Sequence, residues 1–481
     1  MDNPMEITRQ LCRRDFFGRA GFNLGALALG SMLAHDLSAA PAESETSLPA
    51  LGRPHFAQRA KSVIFLNMVG APPQLDMFDY KPKLKELHNQ VVPESLTQGE
   101  QFAFIKGDAK LLGPLFGFKQ HGQSGMWMSS VVAPHLPRIA DEICMIHGVH
   151  TEQFNHSPAA LLLFTGFERS GRPSMGAWVN YGLGSGSQDL PGFVVMATGR
   201  AGRCGMDCFG SGFLPTVYQG VRFRSHGEPV LFLNNPTGID SQLRGDALAA
   251  LKSLNEQEYG RLGDPEIQTR ISGYEMAHRM QTSVPDLVDM SSEPRHIHDL
   301  YGTKPGQRHF GNNCLLARRL VERGVRFVQL NHGEWDAHGG TRVNIPETIP
   351  RLCGETMQGA AALVLDLRQR GMLDETLVIW GSEFGRTPML QQPAPGDQVG
   401  RDHHKAFTIW MAGGGVKAGF IHGGTDELGY KHLEGTMHVH DLQATVLHLL
   451  GLDHERLTYK FQGRQYRLTD VHGNVVRDIL G

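Results

Sequence analysis

The chain has 481 residues, with 46 Lys and Arg against 49 Asp and Glu, 24 His and only 6 Cys. At 40% hydrophobic and 20% charged it has the balance of a folded protein with a sizeable core, not of a disordered chain. A net charge of −3 excludes a dedicated nucleic-acid binder, and so few cysteines exclude a disulfide scaffold.

In chain order, the first element is an address. Arg13 and Arg14 stand in CRRDFFGRAG, followed by the apolar stretch Ala20–Ala34 and small residues ending at Ala40 or Ala42. This predicts a twin-arginine signal peptide over 1–42 and hence a periplasmic or secreted protein. The apolar stretch is about 15 residues, short of the roughly 20 that a membrane span needs, so no transmembrane anchor is expected after cleavage. Residues 43–60 read as a linker, and 61–481 as one domain.

KSVIFLNMVG reads as a buried strand that stops at Gly70-Ala71-Pro72-Pro73. Apolar runs follow at Ile143–Ile146, Phe193–Met196, Pro229–Leu233, Val325–Leu330, Thr376–Trp380 and Phe407–Met411. Helical patterns lie between several of them, notably Asn312–Arg323, Arg351–Arg370 and His440–Leu450. Short apolar strands alternating with longer helices predict an α/β fold with a mostly parallel sheet buried on both faces. The polar, helix-prone stretch from about 235 to 310 reads as a helical insertion. Phe461–Asp470 reads as a terminal strand or hairpin, and Gly413-Gly414-Gly415 as a tight turn. Cys204 and Cys208 (CGMDC) are near enough to pair, or are two unrelated thiols; Cys314 and Cys353 fall in apolar helical patterns and read as core.

The chain has no G-x-S-x-G elbow, no GxxxxGK[ST] loop and no HExxH helix. Ligand-type residues instead cluster beside the strands: Asp76 and Asp79; His332, Glu334, Asp336 and His338; Glu383; Asp402, His403 and His404; His438, His440 and Asp441. In a parallel sheet such loops share the carboxyl edge, where ligands bind. Asp, Glu and neutral His suit zinc or manganese and the paired-metal sites of hydrolases. The candidate ligands are Asp76, Asp336, His338, Glu383, His403, His404, His438 and His440. Each has a plainer alternative: Glu383 with Arg386 can be an ion pair capping a helix, and Asp441 an N-cap.

These residues sit in long blocks: GAPPQLDMFDYKP, NHSPAALLLFTG, CLLARRLVERGVRFVQLNHGEWDAHGG, VIWGSEFGRTP, GRDHHKAF and GLDHERLTYKFQGRQYRLTDVHG. In them the chain resembles the bacterial domain-of-unknown-function 1501 family, itself similar to the sulfatase and alkaline-phosphatase superfamily. The resemblance implies an alkaline-phosphatase-like or sulfatase-like three-layer α/β sandwich with a divalent metal (zinc, manganese or calcium) at the carboxyl edge. His156-Ser157-Pro158 through Thr165-Gly166 looks like the sulfatase nucleophile segment C-x-P-S-R…T-G, with His156 in place of the cysteine. Formylglycine chemistry is thereby excluded at this position, which leaves Ser157 or His156 as nucleophile, with His156 alternatively a ligand. Val69-Gly70 falls where the resemblance implies a first metal-binding Asp, which makes Asp76 a displaced substitute. Glu383-Phe384 stands where the superfamily has Asp-His.

The implied function is a metal-dependent hydrolase of sulfate or phosphate esters on extracellular glycans, with Arg386 neutralising the developing anion. The alternative is a non-catalytic binding or envelope protein on the same scaffold; a redox protein using Cys204 and Cys208 is weaker.

Overall fold

A computed structural model describes residues 52–98, 109–199, 204–224, 226–231, 233–235, 238–337, 344–390, 402–403 and 405–481. The signal segment, residues 43–51 of the linker, His338 and His404 lie outside the described residues.

Eight strands form the central sheet: β1 (Ser62–Met68), β2 (Ile143–Val149), β3 (Phe193–Thr198), β4 (Val221–Arg222), β5 (Phe327–His332), β6 (Thr376–Gly381), β7 (Phe407–Ala412) and β8 (Phe420–Gly423). Their order across the sheet is β8-β2-β7-β6-β1-β5-β3-β4. Pairings are parallel throughout except at β7, which runs antiparallel to β2 and to β6. Every residue of β1, β5, β6 and β7 is buried, as expected of strands covered on both faces.

The alternation of side chains along β1 divides the core in two. Ile64, Leu66 and Met68 pack with α5 (Phe310–Glu322) and α6 (Ile345–Gln369). Val63 and Phe65 pack on the opposite face with α1 (His156–Thr165), α2 (Met175–Leu183) and α7 (Val439–Leu449). The result is the α/β sandwich with a mostly parallel sheet that the alternation of runs predicts. The polar stretch after β4 forms α3 (Ser241–Leu262) and α4 (Pro265–Val288), each N-capped by an Asp side chain, Asp240 and Asp264. Among the described residues no helix is long and apolar enough to cross a membrane.

Two expectations are corrected. Pro229–Leu233 is no strand: its described residues form bends and turns, and Leu231 is 56% exposed. Pro229 has no N–H to give a ladder, and the run is too short to bury both faces. Asp441 is not the N-cap of α7. His438 holds that place, its Nδ1 accepting the N–H of His440, while Asp441 returns a bond to the His438 N–H in a capping box. The tail forms the expected hairpin, Tyr459–Phe461 with Arg464–Tyr466. Cys204 and Cys208 form a disulfide; Cys314 and Cys353 are buried thiols.

Candidate active site

The carboxyl ends of β1, β5 and β6 lie side by side, because β1 pairs in parallel with both neighbours. Three loops therefore open at one place, and each brings one part of a polar cluster. Glu383 follows β6, Asp336 follows β5, and the Gly70-Ala71 turn follows β1. His156, the first residue of α1, completes the cluster.

His156 is held at both ring nitrogens. Nδ1 lies 2.7 Å from Glu383 Oε1 and Nε2 lies 3.0 Å from Asp336 Oδ1. Glu383 is 2% exposed and is fixed by two further donors. The Gly70 N–H donates to Oε1 (3.0 Å) and the Ser382 hydroxyl to Oε2 (2.6 Å). With Oε1 taking the Gly70 N–H and Oε2 the Ser382 hydroxyl, Glu383 is the acceptor for His156 too, and the His156 proton on this side sits on Nδ1. Asp336 faces outward more than the others, its side chain 20% exposed.

Arg386 is 2% exposed and works as a cross-brace. Its Nη2 donates to Asp336 Oδ1 (3.0 Å) and the Gly70 carbonyl (2.6 Å), and its Nε to the Ala71 carbonyl (3.0 Å). It thus ties the loops after β1, β5 and β6 together. It caps no helix, and its ion-pair partner is Asp336 rather than Glu383. Gln74 extends the brace, donating to the Arg386 and Ala406 carbonyls and accepting the Arg386 N–H. Ala71 adopts φ 66°, an unfavourable conformation for a residue with a Cβ; its N–H donates to Ser382 Oγ (3.2 Å).

The other candidates go elsewhere. Asp76 accepts the Leu115 N–H (2.9 Å), and burial pushes its carboxyl up to about 7. Asp79 pairs with Lys81 (3.0 Å). His438 and His440 belong to a separate imidazole group: His438 Nε2 lies 2.9 Å from Glu152, which that bond pushes down to about 2, and the His438 ring stands 5.0 Å from that of His440. His440 Nε2 meets the Gly166 carbonyl (3.2 Å), and burial lowers its pKa. His403 stacks on Tyr430 with ring centroids 5.0 Å apart; its backbone pairs with Gly385, beside Arg386. Ser157 is half-buried in the first turn of α1, next to His156. Sequence reasoning missed Ser382, Gln74 and the Gly70 N–H. Ser382 precedes Glu383 directly, whereas no local signal marks Gln74.

Among the described residues no group of three or more His, Cys, Asp or Glu is arranged to hold a metal ion. The described lone pairs of Glu383 and Asp336 face His156, Gly70, Ser382 and Arg386.

A sequence profile described as "Protein of unknown function (DUF1501)" matches residues 60–480. No curated protein matches the chain. Solved structures to which it is similar include the lipoteichoic acid synthase LtaP from Listeria monocytogenes, at 9% identity over 89% of this chain and 78% of that one, with a TM-score of 0.35. They also include the PsFucS1 sulfatase from Pseudoalteromonas sp., at 12% identity over 88% and 72%, TM-score 0.32. A third is an alkaline phosphatase from the Antarctic bacterium TAB5, at 9% identity over 74% and 92%, TM-score 0.27.

Proposed function

For this chain, which belongs to the DUF1501 family of proteins of unknown function, we propose a hydrolase of sulfate or phosphate esters, acting on extracellular glycans after export. One observation carries the reading: His156 is clamped between two carboxylates at the start of a helix whose N-cap, Asn155, makes no side-chain bond to the first turn. The start of a helix favours an anion such as a phosphoryl or sulfuryl group.

The roles follow from the contacts. Glu383 holds the ring and keeps a proton on Nδ1, as the carboxylate of a catalytic triad does. Nε2, which bonds Asp336 Oδ1 at 3.0 Å, becomes the nitrogen that exchanges a proton with the substrate once a substrate oxygen takes that carboxylate's place, accepting from an attacking hydroxyl or donating to the leaving oxygen. Ser157 is the proposed nucleophile, at the same helix end as His156. Arg386 is a positioning residue here, because its described donors are occupied by Asp336 and by loop carbonyls.

A divalent metal belongs to the wider proposal. Asp336, Glu383 and His156 are donors of the right chemistry, but by themselves they do not make a coordination set, because they bond to one another and to Arg386. His338 or His404 would have to complete it. When bound, the ion would polarise the ester oxygens; none of the steps above depends on it.

The test is a panel of aryl phosphates and aryl sulfates, with metal analysis of the purified protein. Turnover lost in His156→Ala and in Ser157→Ala supports the reading. No turnover of any ester, with or without added zinc, manganese or calcium, would leave the non-catalytic binding protein.

A further inference from the structure

Five imidazoles run ring to ring past the start of α7. In the order His432, His150, His438, His440 and His472 their centroids are 3.9, 5.2, 5.0 and 4.9 Å apart. The run joins two segments of the chain. The His150 N–H donates to the Met437 carbonyl and the Val439 N–H to the His150 carbonyl, both at 3.1 Å. His150 directly follows β2 and opens the short loop 150–155 that delivers His156 to the start of α1.

The hydrogen bonds fix where the protons sit. A backbone N–H can only donate, so His438 Nδ1, which takes the His440 N–H at 3.1 Å, carries a lone pair. The proton of the neutral ring is then on Nε2, 2.9 Å from Glu152. A second proton has only Nδ1 to go to, and an imidazolium has no lone pair with which to cap α7. The caps of α3 and α4 differ in kind, because a carboxyl oxygen keeps a lone pair in either protonation state. His440 is placed much as His438 is. Its Nε2 meets the Gly166 carbonyl, and its Nδ1 is buried with no partner among the described residues, so a proton added there becomes a buried donor without an acceptor.

The surroundings do little to offset added charge. The groups acting on the two buried rings are Glu152 from the loop after β2, His432 from the segment before α7, His438 and Asp441 at the start of α7, and His472 from the tail. Glu152 and Asp441 are the acids in this set. Both Asp441 oxygens are occupied, by the N–H groups of His438 and Asn474. Burial lowers the pKa of His150 and His440 from 6.5, so protonation favours the unfolded chain and stability declines as the pH falls below that value.

We propose that the imidazole cap of α7 is an acid-sensitive latch. With a neutral ring it holds the first turn of α7 and, through it, the loop that leads to His156; with a charged ring it lets both loosen. Hydrogen exchange of the full chain at pH 7 and pH 5, corrected for the pH dependence of unprotected amides, tests it. At pH 5 the amides of 440–446 and of the loop should open about five-fold more readily, the worth of one N-cap, while those of β1 and β6 keep their protection. His438→Asn caps through an oxygen that does not titrate in this range and should show equal protection at both pH values. Should that variant fail to fold, ring-nitrogen NMR of the unaltered protein decides the matter: His438 must gain its second proton at Nδ1 over the range in which α7 loses protection. Equal protection of the unaltered protein at both pH values, the same loss in His438→Asn, or a His438 ring still singly protonated at pH 5 overturns the proposal. None of these readouts uses turnover, so they stand apart from the ester-hydrolase reading.

Discussion

Gly70 has no side chain because another backbone already occupies the space: a Cβ there would lie 2.4 Å from the Asp336 nitrogen and 2.8 Å from the Trp335 carbonyl carbon, at φ 117°. No carboxylate side chain therefore fits at this position at the end of β1. The loop after β5 lies against the position, and the Gly70 N–H serves Glu383 instead. Gly70→Ala should therefore shift Asp336 and cut ester turnover by about 100-fold, the effect expected of a misplacement near 1 Å; kcat measured against thermal unfolding separates this from simple destabilisation. His156→Ala should remove proton transfer, a loss of roughly 10²–10⁴ in kcat. Asp76 makes a prediction on pH. Its buried carboxyl is raised from 3.8 to about 7, so the folded state binds the proton more tightly, and the stability it gives at low pH is lost as pH rises through that window. Over so wide a shift the loss is about 4 kcal/mol. Asp76→Asn, which keeps an acceptor for the Leu115 N–H, should leave the fold unchanged below the window and more stable above it, as urea unfolding at pH 4 and pH 8 would register.

The elements make the site by where they begin and end. α1 stops at Gly166, φ 69°, where a Cβ would collide with the Leu468 carbonyl, so the start that carries His156 is fixed from the far end as well. α5 and α6 are joined by a buried network: Arg318, 2% exposed, meets Glu293 (2.7 Å), Glu322 (2.6 Å) and Asp366 (3.0 Å), and the Tyr301 hydroxyl donates to Asp366 (2.9 Å). Asp366→Ala would leave buried donors without an acceptor. It should cost about 3–5 kcal/mol in denaturant unfolding, with any surviving folded fraction keeping full turnover, since the network does not touch His156. These elements were legible beforehand because their periods are local. β1, β2, β3, β5, β6 and β7 fall on apolar runs, and α5 and α6 on helical patterns. Pro229–Leu233 misled because a short apolar run resembles a strand whether or not a partner strand lies beside it.

Across the whole chain the sheet is shared by both halves of the core, so the two helical layers should unfold together, whereas α3 has no buried residue. Hydrogen exchange should accordingly be slowest in β1, β5, β6, α5 and α6 and fastest, among the helices, in α3. The sequence by itself determined the strand-helix alternation, the burial of the strands on both faces and the loops that bear ligand-type residues, since these follow from spacing within a few residues of each other. It also placed His156, Asp336, Glu383 and Arg386 among the candidates. Only the tertiary structure decided that these four meet while Asp76, His438 and His440 bond elsewhere. The contacts join residues 180 and 227 positions apart, and no local pattern says which lone pairs will face one another. The antiparallel β7 makes the same point: it places His403, which precedes that strand, at the edge the other strands reach by their carboxyl ends. Direction in a sheet is a choice among long-range pairings, and burial on both faces reads alike for either one.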